Sequence, residues 1–198
     1  MRPDPSTNPA YLGAFVEIAT RIERSLAQLP ASTRPIRMFV AGGAALHFYT
    51  GARVSKDIDA VFSHRIALPE DLEVSYRDVD GAARLLYFDR QYNDTLGLMH
   101  EDAHADSLAL ALPGVDPTVL EVRLLAPLDL AVSKLGRFSS QDRDDIALLA
   151  RQRKLGAEQL RLRAEQALTG YVGELSRVRG AIDIACRVVA DAQRARQR

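Results

Sequence analysis

Two aspartates, Asp57 and Asp59, stand one residue apart in "SKDIDAVF", residues 55–62, inside an otherwise apolar run. On a strand, residues i and i+2 project to the same face, so both carboxylates would point one way. Two such charges at close range repel unless one is protonated or a cation sits between them. Hard divalent cations prefer carboxylate oxygen, and Mg²⁺ takes one or two carboxylates together with substrate phosphates. Thirteen residues separate Asp57 from an upstream Gly pair, Gly42-Gly43, which lies between an apolar run and a short helical segment. Such a turn brings bare backbone N–H groups and a helix N-terminus together, which suits an anion. The combination predicts a divalent cation on Asp57 and Asp59, held against a phosphate carried by Gly42-Gly43. The plain alternative is a strand wetted on one side, with both aspartates merely facing water.

The elements that must position these groups follow from periodicity. Tyr11, Phe15, Ile18, Ile22, Leu26 and Leu29 recur at steps of three and four, which predicts an amphipathic helix over 9–29, started by Asn8-Pro9 and ended by Pro30. "IRMFV" reads as a buried strand running into the Gly pair, and "AALHFYTG" as a helix closed by Gly51. "DIDAVF" and "RLLYFD" read as strands, and "SLALAL" with "TVLEVRLLA" as a hairpin about "PGVDP". The stretch 63–106 otherwise has no strong period. Pro127 opens a helix, "SSQDRDDIALLARQ" another, and everything after Ala157 is expected to be helical, with Tyr171, Leu175, Val178, Ile182, Ala185 and Val189 in one stripe. The fold class expected is α+β, a small mixed sheet flanked by helices.

"VAGGAALHFYTGARVSKDIDAVF" resembles the signature of the nucleotidyltransferase fold of the DNA polymerase β class. Together with "APLDLAVSKLGRFSSQDRDDIALL" it is similar to the small bacterial AbiEii-like nucleotidyltransferases, many of them toxins of toxin–antitoxin pairs. The likeness covers roughly residues 37–150. It implies a catalytic domain over 1–150 and a helical extension over 151–198. It implies an enzyme that moves an NMP from an NTP to an acceptor hydroxyl on RNA, such as tRNA, or on protein, with Mg²⁺ or Mn²⁺ as cofactor and an antitoxin protein as a further partner.

Carried over residue by residue, Gly42 and Gly43 would hold the triphosphate, and Asp57 and Asp59 the metal; Arg53, which could reach a phosphate, and Ser55 are further nucleotide-binding candidates. Lys134 would contact phosphate, Asp142 and Asp145 would complete the site, and Glu121 would be a third metal-binding carboxylate. Gly43 stands where the family often has Ser, and Glu121 where it has Asp. The residues themselves leave other readings open. Lys134 could snorkel from an amphipathic helix. Asp142, Asp144 and Asp145 would suit the positive end of a helix without any catalysis. Arg53 could simply balance the two aspartates. A module with weak catalysis that acts by protein association is the second reading.

"HEDAH", residues 100–104, matches the H-E-x-x-H zinc pattern in letters. Gly97 before it and Asn93, Asp94, Asp102 and Asp106 around it make a loop-like setting rather than a sturdy helix, so His100 and His104 are given no role. The apolar fraction, 47%, is that of a globular chain, and no stretch suits a bilayer span. One cysteine, Cys186, excludes an internal disulfide and fits a reducing cytoplasm. Net charge is zero but split: residues 151–198 carry eleven basic and five acidic side chains, leaving fifteen and twenty-one before them. The basic cluster Arg151, Arg153, Lys154, Arg161 and Arg163 is expected to steer a polyanionic acceptor, unless it is a solvated or packed helical surface.

Overall fold

The structure is a computed structural model that describes residues 1–95, 97–153 and 155–196. It is α+β, and its chain divides into two compact units. The first comprises residues 1–92 and 107–124, the second 93–106 and 125–198. The sequence reading divides the chain at residue 150, whereas packing groups the helices after Leu124 with the C-terminal third.

The first unit opens with helix α1, Pro9–Leu26. The Asn8 side chain accepts from the N–H groups of Ala10 and Tyr11, and Pro9, which has no N–H to lose, takes the first helical position. The apolar stripe is buried as expected, with Tyr11, Phe15, Ile18 and Ile22 fully enclosed. The helix ends three residues before the sequence limit of 29. Strand β1, Ile36–Val40, follows, then helix α2, Gly42–Thr50. Residues 44–50 are all buried, so α2 is a core helix, and Gly51 closes it at φ 62 with its N–H on the His47 carbonyl.

Residues 57–62 form two short strands rather than one. β2, Asp57–Ile58, and β3, Ala60–Phe62, flank Asp59 and join different sheets. β3 lies antiparallel to β1, which is parallel to β7, Leu120–Leu124. β7 forms the expected hairpin with β6, Leu108–Ala109. This four-stranded sheet has the order β3-β1-β7-β6. β2 instead lies parallel to β5, Ala83–Phe88, which pairs antiparallel with β4, Glu73–Arg77. β4 falls in the stretch that had no clear period. Its Val74 and Tyr76 alternate with Glu73, Ser75 and Arg77, and α1 packs on this sheet.

The second unit is helical: α3, Pro127–Ser133; α4, Ser140–Arg153; α5, Ala157–Ala167; and α6, Leu175–Arg196. α6 packs on α4 and α5, and α5 on α3. The tail is not one helix. A 3₁₀ turn, Leu168–Gly170, and the segment to Glu174 interrupt it, which puts Tyr171 outside the stripe and leaves Leu175 partly exposed. Val178, Ile182, Ala185 and Val189 are the part of that stripe that is fully buried.

Candidate functional site

In the first unit the sequence motif closes into one place. β1 ends at Val40, the chain turns at Ala41, and α2 starts at Gly42 with no side chain capping its first turn. The Ala41 N–H donates to the Asp59 carbonyl at 2.8 Å, which draws the junction of β2 and β3 against the helix N-terminus. Gly42 has φ 58, a conformation glycine adopts freely. A Cβ there would run into the Asp59 carboxylate, with Asp59 Cγ only 2.8 Å away. A Cβ on Gly43 would lie 2.8 Å from Cβ and Oγ of Ser55 and 3.4 Å from Arg53 Nη1. Both glycines are therefore demanded by close approach: Asp59 lies over one, Ser55 and Arg53 over the other. Ser55 is buried, and its hydroxyl donates to Asp57 Oδ1. Gly42, Gly43, Arg53, Ser55, Asp57 and Asp59 thus meet at one helix N-terminus.

The alternation read from sequence holds here. Asp57 and Asp59 are half-buried while Ile58 and Ala60 are in the core. Two carboxylates on one face, next to bare helix N–H groups, suit a hard cation that shares its shell with a phosphate.

Glu121 does not join them. Its lateral neighbour on β1 is Arg37, while Asp59 is level with Ala41, one step past the Val40–Ala60 pair. Four residues of strand separate those levels, roughly 13 Å at about 3.3 Å per residue. Glu121 is spent instead on Arg37, at 3.1 Å, and Arg123, at 2.5 Å. The strand that does flank the aspartates is β5. Tyr87 is the lateral partner of Asp57, and the N–H of Asp89 donates to the Ile58 carbonyl at 3.1 Å, which brings Asp89 level with Asp59. Asp89 Oδ1 is held by the Gln91 N–H, and no three acidic, His or Cys side chains among the described residues form a metal-holding group. Sequence reasoning missed Tyr87 and Asp89. The signal available was "YFD", an apolar strand ending in a carboxylate.

Lys134, Asp142 and Asp145 belong to the second unit, where they meet one another. Lys134 follows the last turn of α3, and its Nζ donates to Asp145 Oδ2 at 2.7 Å, with Asp142 Oδ1 at 4.0 Å. All three are buried, so Lys134 does not snorkel to solvent. Asp142 closes a capping box at the start of α4. Its Oδ2 accepts from the Ser139 N–H and hydroxyl, and the Ser139 hydroxyl accepts from the Asp142 N–H. Arg137 adds a two-point grip, 2.9 Å to each oxygen. Burial alone would raise this carboxyl, but the hydrogen bonds from Arg137 and Ser139 outweigh it and hold it at about 2.

The folded value lies below the ordinary 3.8, so the stabilisation is full above about pH 4 and is lost as pH falls toward 2. We expect urea unfolding to lose on the order of 2 kcal/mol across that window. Asp142→Asn should lower stability at neutral pH and flatten the acid limb, and an unchanged limb would show that the box does not hold the carboxylate ionised.

"HEDAH" is a run of turns, not a helix. His104 Nε2 pairs with Asp94 at 2.8 Å, and His100 Nδ1 accepts the Asp102 N–H at 3.1 Å, so neither is arranged for zinc. The basic tail is also reassigned in part. Arg163 grips Asp129 at 2.8 and 3.0 Å and Asp106 at 2.6 Å, and Arg161 pairs with Asp183 at 2.7 Å. Their charge is used inside the unit. Lys154 lies outside the described residues. No helix among the described residues is long and apolar enough to cross a membrane.

Comparison with curated proteins and with solved structures gives no significant match. A protein-family model described as a nucleotidyltransferase of unknown function, DUF6036, matches residues 19–181, which takes in the Gly pair, both aspartates and the Lys134 cluster. That span is most of the chain, and the protein belongs to the DUF6036 family of nucleotidyltransferases.

Proposed function

We propose that the protein transfers a nucleoside monophosphate from an NTP to an acceptor hydroxyl, and that Asp57 and Asp59 hold Mg²⁺ for this purpose. The observation that carries the reading is the packing of the Asp59 carboxylate directly over Gly42 at the N-terminus of α2. It sets a cation-binding pair and an anion-binding turn against each other, as a metal–triphosphate requires. When bound, Mg²⁺ supplies Lewis-acid polarisation of the α-phosphate and lowers the pKa of an attacking hydroxyl. The backbone N–H groups of Gly42 and Gly43 receive the phosphates, with Arg53 beside them. Ser55 fixes one oxygen of Asp57 and so orients the other. Lys134, Asp142 and Asp145 are the buried charged group of the second unit, and the resemblance gives Lys134 a phosphate contact.

The likeness to AbiEii-like proteins supplies the setting, a toxin restrained by an antitoxin. RNA remains the acceptor that the likeness suggests, although Arg161 and Arg163 no longer argue for it. One observation favours the second reading, a binding module with weak catalysis: the aspartates stand as a pair without a third metal ligand among the described residues.

Asp57→Asn and Asp59→Asn separate the two readings. Each removes a repulsive charge, so the fold should be as stable as before or slightly more so. Transfer of label from an α-labelled NTP should fall by about a hundred- to a thousandfold, the scale of losing a charge-stabilising group in an active site. The extra melting-temperature gain that NTP and Mg²⁺ give together, beyond either alone, should vanish too. Full transfer in both variants would rule these residues out as metal ligands.

A further inference from the structure

His100 is 8% exposed, yet only half of its ring is satisfied by the protein. Nδ1 accepts the Asp102 N–H at 3.1 Å, which places the ring proton on Nε2. Nε2 meets no partner among the described residues. The ring lines a cavity of about 480 Å³ in the second unit, between the 99–102 turn and residues 166–170. Met99 and Ala167 give the cavity an apolar wall, while Glu101, Asp102 and Gln166 supply carboxylate and amide groups. Nε2 itself is not sealed off, so the ring offers an unmet donor at this cavity, where an acceptor can reach it.

We propose that this cavity binds a nucleobase, with the His100 Nε2–H donating to a ring acceptor. The cavity presents one ring donor on a largely buried side chain, neighbouring acceptors and an apolar wall. Adenine and cytosine offer the complement, a ring nitrogen acceptor beside an exocyclic amino group, on a flat apolar body. Phosphate is disfavoured, because Glu101 and Asp102 line the same space. The volume falls in the range of small-molecule sites and accommodates a nucleoside. The choice of ligand rests on the nucleotidyl-transfer reading; the cavity and its donor do not. The base can arrive on a free NTP or on the end of an RNA acceptor, and both present the same edge.

The test uses the full chain, ¹⁵N-labelled at histidine, titrated with adenosine and with cytidine. Neither probe carries a phosphate, so binding is read without transfer or metal. Saturable binding should shift the His100 Nε2–H resonance. N6,N6-dimethyladenosine, which has no amino hydrogens, should bind more weakly. His100→Leu should weaken adenosine about five- to tenfold, the scale of one neutral hydrogen bond lost to an unsatisfied partner. His100→Gln, which keeps an N–H near the Nε2 position, should recover part of that. Thr169→Phe places a bulky ring on the exposed rim, away from the core, and should block binding without harming the fold. Asp57→Asn should bind adenosine normally, so failure of the transfer reading and failure of this site are seen separately.

Competition by ATP and by a short single-stranded RNA then tells which source brings the base. No saturable binding of either nucleoside up to its solubility limit overturns the proposal. So does binding that survives Thr169→Phe, which places the nucleoside elsewhere, or binding as tight in His100→Leu as in the unaltered protein, which removes the donor's role.

Discussion

Gly42→Ala should abolish transfer and lower stability by about 2–5 kcal/mol. Two costs add. An L-residue held at φ 58 costs roughly 1–2 kcal/mol. The new Cβ also lands on the Asp59 carboxylate, which must rotate or carry the β2–β3 junction with it, an overpacking cost of about 1–3 kcal/mol. The activity loss has the same cause: a displaced Asp59 no longer shares a face with Asp57. Gly13 is the control, since it lies in α1 with open space where a Cβ would go. Gly13→Ala should stabilise by about 0.5–1 kcal/mol, the usual gain of alanine over glycine inside a helix. Urea midpoints and the NTP transfer assay on the two variants give the comparison. If Gly42→Ala behaved like Gly13→Ala, the turn would not be set by Asp59.

Arg163→Ala should destabilise the protein by about 3–5 kcal/mol, the cost of stripping a buried ion of its partner. Asp129 is 1% exposed, and Arg163 holds both of its oxygens while also reaching Asp106. Alanine leaves the Asp129 carboxylate buried with nothing to replace the guanidinium. Arg163→Lys should cost less than alanine but still be measurable, because an ammonium cannot reproduce the two-point grip. Replacing Arg163 and Asp129 together by Met and Leu should recover most of the loss, since no uncompensated charge then remains. The surface pair Arg194–Asp191 is the reference, and Arg194→Ala should change stability by less than about 1 kcal/mol. A loss that small in Arg163→Ala would mean that the Asp129 contact is incidental and the arginine is available to an outside partner.

Local chemistry in this chain was readable, and adjacency was not. Asn8-Pro9, Gly51 and the period of α1 were visible because each signal lies within a few residues of what it controls. The same holds for Gly42, Gly43, Asp57 and Asp59: the spacing fits a strand, a turn, a helix and a return strand. Glu121 was misplaced because "LEV" looks like any strand carboxylate, and nothing in it says that β7 meets β1 at Arg37 and not at Ala41. Asp89 was overlooked for the converse reason, as the parallel pairing of β5 with β2 joins residues about thirty apart in sequence. The basic tail misled because charge can be counted from sequence while its partners cannot. Arg163 adds to the tally of positive charge, yet Asp129, thirty-four residues away, consumes it. The break in the tail turned on Gly170 and Gly173, which compete poorly with a long apolar stripe in a periodicity reading.

The split of residues 57–62 between two sheets has a mechanical reading. Asp57 is stitched to β5 of the three-stranded sheet, and Ala60 to β1 of the four-stranded one, with Asp59 as the single link between. The two carboxylates are thus the jaws of a caliper, one fixed to each plate. The separation of the two carboxylates is therefore set by how the two sheets meet, and not by either sheet alone.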